Sequence, residues 1–297
     1  MPELPEVETV VRTLKPTLLG RTILKAEFCG ALANGRKRSG RLLRDAPNKV
    51  AAKLHGAKIE DVVRYGKHIV IRLKSGGKEA SPFSFAVHLG MTGKLTFEDT
   101  ASPRNRHTHM ILDLDQAGRW LHYNDIRRFG QLQLLTDSQT DSLSLGPDPL
   151  EISFQDFLDR LGRRKTMMKS LLLDQKFLRG IGNIYADESL FRARLHPRTL
   201  ASSIKQQQAR ALYNALRNTL REAIAKCGTS ISDYVDGWGK RGSFQANLHV
   251  YQRTGEPCLS CGTKIRRIIV AGRGTHFCPR CQQDKGLAKN ANERNSR

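Results

Sequence analysis

The hydrophobic pattern of this 297-residue chain changes period at one place, Gly146-Pro147-Asp148-Pro149, and that change limits the folds open to it. Before it, from about Lys58 to Leu135, apolar residues alternate over short stretches. Ile69, Ile71 and Leu73 are followed by Phe83 to Leu89, His109 to Leu114 and Gln131 to Leu135, separated by turn residues such as Ser75-Gly76-Gly77 and Ala117-Gly118. A period of two bounded by turns predicts strands, here an antiparallel sandwich. After the change, Phe154 to Leu161, Met167 to Leu178, Asn183 to Arg192 and Ile204 to Lys226 read as helices. In the last of these Leu212, Leu216, Leu220 and Ile224 recur every four residues, and Ser203 stands where a cap belongs. Strands followed by helices predict an α+β chain of more than one domain.

Four of the six cysteines, Cys258, Cys261, Cys278 and Cys281, form a C-x2-C, sixteen residues, C-x2-C arrangement suited to tetrahedral thiolate coordination of zinc. Ile265 to Val270 and Thr275 to Phe277 can pair as a hairpin around Ala271-Gly272-Arg273-Gly274. Zinc would replace the core that so small a unit lacks, and four thiolates leave no open position for water, so the ion is expected to be structural. Between helices and cysteines, Cys227 to Asn247 is rich in Gly, Ser and Asp and reads as a plain linker or a mobile binding loop. The tail ending KNANERNSR has little to bury and is expected to be disordered.

Lys and Arg number 50 against 28 Asp and Glu, a net charge of +22 that points to a polyanion, with nucleic acid foremost. Basic residues cluster at Arg36, Lys37, Arg38, Arg41 and Arg44 and again at Arg163, Arg164 and Lys165, although single runs are usually solvated surface. Apolar runs fall far short of the ~18 residues that span a bilayer, so no membrane segment is expected. The first residues lack the basic start and apolar stretch of a secretory signal, so the protein is expected in the reducing cytoplasm.

Against this basic background the chain begins MPELPEVE. A helix is expected from Pro5, because proline suits a first turn and Val7, Val10, Val11 and Leu14 then share a face. Glu6 and Glu8 are favourable near its positive end, and helix rules alone make them solvated acids. Pro2 is less ordinary. Once the initiator Met is removed it offers a secondary amine, with an unperturbed pKa near ~8, able to attack an electrophilic carbon and form an iminium. Glu3 stands beside that amine and Glu6 one helical turn on, where one carboxyl group can move a proton while the other holds a sugar or the amine.

The opening PELPEVET resembles the N-terminus of formamidopyrimidine-DNA glycosylases. RYGKHIVIRL, HLGMTGKL, HYNDIRRFGQ, GPDPL, LLLDQKFLRGIGNIYADESLF, HP and the four-cysteine module follow in family order over nearly the whole chain. The resemblance implies an N-terminal antiparallel β-sandwich flanked by helices, a helix-two-turn-helix domain and a C-terminal zinc-finger β-hairpin. It implies base-excision repair of double-stranded DNA: removal of 8-oxoguanine and formamidopyrimidines, then strand cleavage by β,δ-elimination. The corresponding segments are 1–140 for the catalytic sandwich, 150–228 for the helical domain, 229–246 for a lesion-covering loop, 247–283 for the zinc finger and 284–297 for the tail. A monomer holding one structural zinc, working on the bacterial nucleoid, is expected.

By the same resemblance Pro2 is the nucleophile at C1′, Glu3 the proton donor and Glu6 a supporting carboxylate. Lys67 donates a proton in β-elimination, and Arg273, at the hairpin tip, serves δ-elimination and contacts DNA. Met91, Arg127 and Phe129 match the residues that fill the void left by an extruded base; apart from the family, Met91 and Phe129 read as core. His107, Arg128, Lys165, Lys169 and Asn183 match contacts to DNA. Gly180 and Gly182 permit a tight turn before Asn183, where helix-start amides favour phosphate. DIRRFG departs from the common DPRRFG at Ile126, which bears on the stiffness of that loop. Two other readings stand beside this one: an endonuclease VIII-like enzyme for oxidised pyrimidines, whose members commonly begin PEGPE, and a non-enzymatic zinc-finger DNA-binding protein.

Overall fold

The computed structural model describes residues 1–32, 42–76, 81–101, 104–116, 118–136, 143–162, 164–231 and 233–284. The basic residues Arg36, Lys37, Arg38, Arg41 and Arg163, the turn residues Gly77 and Ala117, and the tail after Asp284 lie outside them. The chain divides into two compact units, 1–144 with 224–245 and 145–223 with 246 onward. Among the described residues no helix is long and apolar enough to cross a membrane.

The first unit opens with α1 (Leu4–Leu18), which starts one residue before Pro5 with Glu3 as its N-cap. Pro5 fits within the first turn because N–H groups there have no intrahelical partner to lose. Val7, Val10, Val11, Leu14 and Leu18 line one face and are buried. The strands are β1 (Ile23–Phe28), β2 (Lys58–Tyr65), β3 (His68–Lys74), β4 (Pro82–His88), β5 (Gly93–Asp99), β6 (Thr108–Leu114), β7 (Arg119–Asp125) and β8 (Gln131–Thr136), with α2 (Pro47–Leu54) between the first two. They form two antiparallel sheets, β1-β6-β7-β5 and β2-β3-β4-β8. Ile69, Ile71, Phe85 and Val87 of one sheet and Leu95, Leu112, Leu121 and Tyr123 of the other share one core with α1. Val70, Ala86 and Leu135 pack separately on the reverse face, so the residues between the alternating positions of β3 and β4 are buried as well.

Segment 224–245 belongs to this first unit. It is pinned to α1 and β5 at Gly237, whose N–H donates to Thr13 Oγ1 (3.0 Å) and whose carbonyl accepts from Phe97 N–H (3.0 Å). A Cβ at Gly237 would stand 2.5 Å from Leu14 Cδ2, so the residue is glycine for room rather than for freedom.

The second unit holds α3 (Phe154–Gly162), α4 (Met168–Leu173), α5 (Asn183–Arg192) and α6 (Gln206–Ala225), except that the last two residues of α6, Ile224 and Ala225, count with the first unit. Phe157, Leu172, Phe177, Leu190, Leu212 and Leu216 form its core. The helix expected from Met167 to Leu178 stops at Leu173. The Asp174 carboxylate takes Lys176 N–H (2.9 Å) and its carbonyl takes Phe177 N–H (2.9 Å), offering the backbone a turn in place of the helix. Gln175 then ties the following loop, donating to Ile181 O (2.8 Å) and accepting Gly180 N–H (2.8 Å). Ser203 does not cap α6, because its hydroxyl donates to Leu200 O (2.8 Å), and Gln208 accepts Lys205 N–H instead.

The cysteine module carries β9 (Arg266–Val270) paired with β10 (Arg273–Phe277). Val270 faces Arg273, so the turn is Ala271-Gly272 alone, both with positive φ (51° and 68°), as a two-residue hairpin matched to strand twist requires. Arg273 is therefore the first strand residue rather than part of the turn.

If Gly237 is held by packing against Leu14, Gly237→Ala destabilises the protein by about 1–3 kcal/mol through overpacking. In a Leu14→Ala background the same change costs little, and urea unfolding of the four proteins reads the coupling.

Candidate active site and metal centre

Helix rules leave acids at a helix start in solvent, and here they are not. Glu3 is 2% and Glu6 1% exposed, and Pro2 is buried beside them under an exposed Met1. Glu3 and Glu6 close a reciprocal capping box, with Glu3 N–H donating to Glu6 Oε2 at 2.8 Å. Glu6 Oε1 accepts Thr229 N–H at 2.7 Å, so this carboxylate bridges the N-terminus and a segment more than two hundred residues on. Gly228 makes the approach possible: its φ is +80°, and a Cβ there would lie 2.8 Å from Glu6 Oε1. Tyr234 donates to Cys227 O (3.1 Å) and lies 3.3 Å from Glu6 O, and burial raises its phenol so that it remains a donor. Neither Thr229 nor Tyr234 carries a local sequence signature, and the Gly228-Thr229 pair just past a helix end is the available signal. Glu8, by contrast, pairs with Arg12 and Arg64.

Lys67 occupies the two-residue turn between β2 and β3, where Tyr65 faces His68 and Gly66 takes φ 63°. It is buried at 8% exposure, against the solvated position ordinary for a lysine before a strand. On β4, burial foremost, with the charges of His68 and Lys67, pushes His88 down to about 3. Neutral His88 Nδ1 accepts Gly90 N–H at 3.1 Å.

Met91 and Phe129 stand outside the core, 39% and 51% exposed, where their side-chain type alone suggested burial. They are neighbours through backbone: Gly90 has φ 62°, and a Cβ on it would meet Phe129 C and Gly130 N at 2.5 Å. Arg127 lies over the Phe129 ring, 4.6 Å from its centroid. Arg128 is exposed with φ 55°, a left-handed conformation uncommon outside glycine. Ile126 is 57% exposed and lines a cavity of about 270 Å³ with His107, Lys94, Asn105 and Asn124. His107 is half-buried there, and its Nε2 accepts Arg106 Nε–H at 3.0 Å.

In the second unit Lys165 is exposed. Lys169 is completely buried, its ammonium 2.6 Å from Asp187 Oδ1 and 2.9 Å from Asn183 O. From this position it holds the start of α5. The other Asp187 oxygen accepts His276 N–H on β10 at 2.9 Å. Asn183 Nδ2 donates to Gly274 O at 2.9 Å, beside exposed Arg273. Adjacent Glu188 is fully buried and accepts three backbone N–H groups, from His249, Val250 and Tyr251, each at 2.9 Å. The ADE within NIYADESLF therefore carries two buried acids that fasten the cysteine module to α5, which its helical pattern did not disclose.

The four Sγ atoms of Cys258, Cys261, Cys278 and Cys281 lie within 4.8 Å of one another, with Cys258 3.9 Å from Cys281 and Cys261 3.4 Å from Cys278. Four thiolates about 2.3 Å from a central zinc stand roughly 3.8 Å apart, so the donor set fits one tetrahedral ion. Cys278 N–H donates to Gln282 Oε1, and Gln282 Nε2 donates to Leu195 O, fixing the second knuckle on the helical part of this unit.

One zinc per chain is expected on release into a chromogenic chelator after denaturation, and substantially less than one from a Cys258→Ser/Cys281→Ser protein. His88 sets a pH dependence. Its folded value lies below the ordinary 6.5, so between about pH 6.5 and 3 the unfolded chain binds a proton that the folded chain refuses. This contribution is complete above pH 6.5 and lost as pH falls through the window, and His88→Gln is expected to flatten that part of the stability profile.

Residues 1–132 match the formamidopyrimidine-DNA glycosylase N-terminal domain, residues 145–235 the formamidopyrimidine-DNA glycosylase H2TH domain, and residues 255–283 the zinc finger found in FPG and IleRS. The chain is 50% identical to a formamidopyrimidine-DNA glycosylase of Solibacter usitatus and 46% identical to one of Heliobacterium modesticaldum, in each case over 95% of this chain and all of the relative. A complex between the Lactococcus lactis Fpg and an abasic site containing DNA superposes with a TM-score of 0.84 at 33% identity, covering 95% of this chain and all of that one. MutM in complex with carbocyclic 8-oxo-G containing DNA gives 0.83 at the same identity and coverage. By sequence across all three segments, by fold and by its four-cysteine centre, the chain belongs to the formamidopyrimidine-DNA glycosylase family.

Proposed function

We propose that this protein removes oxidised purines, 8-oxoguanine and formamidopyrimidines, from double-stranded DNA and then cleaves the abasic strand. The observation that carries this reading is the burial of Glu3 and Glu6 around Pro2, where a merely capped helix would leave solvated acids. Solved relatives bound to abasic and 8-oxo-G DNA support DNA as the partner. The net charge of +22 supports it independently.

With Met1 removed, the Pro2 nitrogen attacks C1′ of the damaged nucleotide. The glycosidic bond breaks, its electron pair leaves with the base, and Glu3 moves the proton required. Glu6, with both oxygens engaged by backbone N–H groups, supports the amine rather than exchanging protons. Opening of the sugar gives an iminium on Pro2. Loss of a C2′ proton expels the 3′ phosphate, with Lys67 as the proton donor of this elimination, and loss of a C4′ proton expels the 5′ phosphate, which Arg273 serves as a permanent cation in contact with the DNA. Met91, Arg127 and Phe129 fill the space left by the extruded base, where an apolar wedge, a guanidinium and a ring are each suited to a widowed base pair. His107, Arg128, Lys165 and Asn183 hold the backbone, and Lys169 contributes through Asn183. Segment 1–140 would carry the chemistry, 150–228 and 247–283 the grip on DNA, and 229–246 the cover over the lesion. The protein would act as a monomer on DNA in the bacterial cytoplasm. The start PELPEVET favours this reading over the pyrimidine-specific alternative.

Borohydride reduction with an 8-oxoguanine duplex is expected to trap a covalent adduct at Pro2; processed wild-type protein that forms none excludes the mechanism. Glu3→Gln is expected to slow base excision about 10²- to 10⁴-fold. Pro2→Gly should lower nicking of an abasic duplex, and equal nicking would count against the proline amine. Excision of thymine glycol in preference to 8-oxoguanine would transfer the protein to the pyrimidine group.

A further inference from the structure

Met91, Arg127 and Phe129 project from two separate turns, residues 90–92 and 126–130, and one buried acid joins them. Asp125, the last residue of β7, has no exposed surface. Its Oδ1 accepts the Thr92 hydroxyl at 2.6 Å, and its Oδ2 accepts Gly130 N–H at 2.8 Å and the Tyr123 hydroxyl at 3.3 Å. Burial raises the Tyr123 phenol well above its ordinary value, which keeps it a donor. The Thr92 hydroxyl, having donated to Asp125, accepts Arg127 N–H at 3.1 Å. The main chain of Asp125 adds two links, donating to His107 O (3.0 Å) and accepting the His109 Nε2 proton (2.9 Å).

We infer that Asp125 and Thr92 form a positioning clamp that fixes the spacing of Met91, Arg127 and Phe129, so that the three enter the duplex as one rigid wedge. The inference rests on the void-filling roles proposed above. Each wedge residue is itself a point of attachment or its chain neighbour: Met91 precedes Thr92, Phe129 precedes Gly130, and Arg127 is bound through its own N–H. Exposed side chains on two independent turns would sample many relative positions, and ordering them would oppose each insertion. Holding both turns to one carboxylate removes that cost before DNA arrives. Gly130 has no alternative residue here, since any Cβ would enter the space of the Tyr123 hydroxyl. Ile126 lies between Asp125 and Arg127 without joining this network. The hydrogen bonds of the clamp use Thr92, Arg127 N–H and Gly130 N–H and no group of Ile126, so they are complete in DIRRFG.

Thr92→Val deletes both hydroxyl links while conserving volume, and Thr92→Ser keeps them. With 2-aminopurine next to an 8-oxoguanine, the fluorescence rise on mixing reports wedge insertion, and excision is followed in the same duplex. Thr92→Val is expected to slow both at least tenfold, Thr92→Ser to stay within twofold of wild type, and nicking of an abasic duplex, which has no base to extrude, to fall less than threefold in either. A Thr92→Val protein that inserts at the wild-type rate overturns the clamp, as does one that loses abasic nicking in proportion to excision. Met91→Ala and Phe129→Ala are run alongside. If neither alters the fluorescence rise, the void-filling reading falls and the clamp with it; if both do and Thr92→Val does not, only the clamp falls.

Discussion

The carboxylate of Glu6 is the joint on which the first unit depends. One oxygen takes the N–H of Glu3 and the other that of Thr229, so a single side chain fixes the chain's beginning to the segment that returns after α6. Each contact is a charge-assisted hydrogen bond out of water, the kind whose loss is costly because a buried acceptor is left unpaired. Everything near Pro2 follows from it: the capping box sets where α1 begins, α1 carries five apolar residues into the sandwich core, and Gly228 must be glycine for the carboxylate to fit.

The second unit solves a similar problem with different groups. A cysteine module of fewer than forty residues cannot bury enough surface to hold itself, and zinc supplies its closure. Its attachment to the helices rests on two consecutive acids, Asp187 and Glu188, which take backbone N–H groups from both sides of the module while Lys169 neutralises one of them. A buried lysine without that partner would carry a large desolvation cost. The same network sets Asn183 and the strand that begins with Arg273 in register, so charge inside the unit determines where charge on its surface stands.

The broad architecture is legible in the sequence because period and turn chemistry are local. The change at Gly146-Pro147, the start of α5 at Asn183 and the paired cysteines each depend on residues within a few positions. What is not legible depends on partners far along the chain. Strand β1 escapes a period-two search because its burial pattern does not alternate, whereas β5 and β7 alternate at Leu95 and Phe97 and at Leu121 and Tyr123 but bury the polar Thr96 and His122 between them, which polarity alone does not announce. The helix expected to run to Leu178 stops because Asp174 offers the backbone a competing acceptor. In the site, side-chain type misplaces Met91 and Phe129 inside, and the burial of Lys169 rests on Asp187 and Asn183, which its own motif does not show. Burial of Glu3 and Glu6 cannot be read from MPELPEVE at all, since the group that makes it tolerable is Thr229.

That distance in sequence has a consequence for how the protein is made. The first unit is not a contiguous stretch: its last residues leave the ribosome about eighty positions after the helical domain has begun. Domains usually fold as they emerge, in order from the N-terminus. Here Glu6 can close its capping box with Glu3 at once, but its second contact waits until Gly228 and Thr229 are synthesised. The contact that buries Glu6 beside Pro2 therefore forms only after the helices of the second unit have been synthesised.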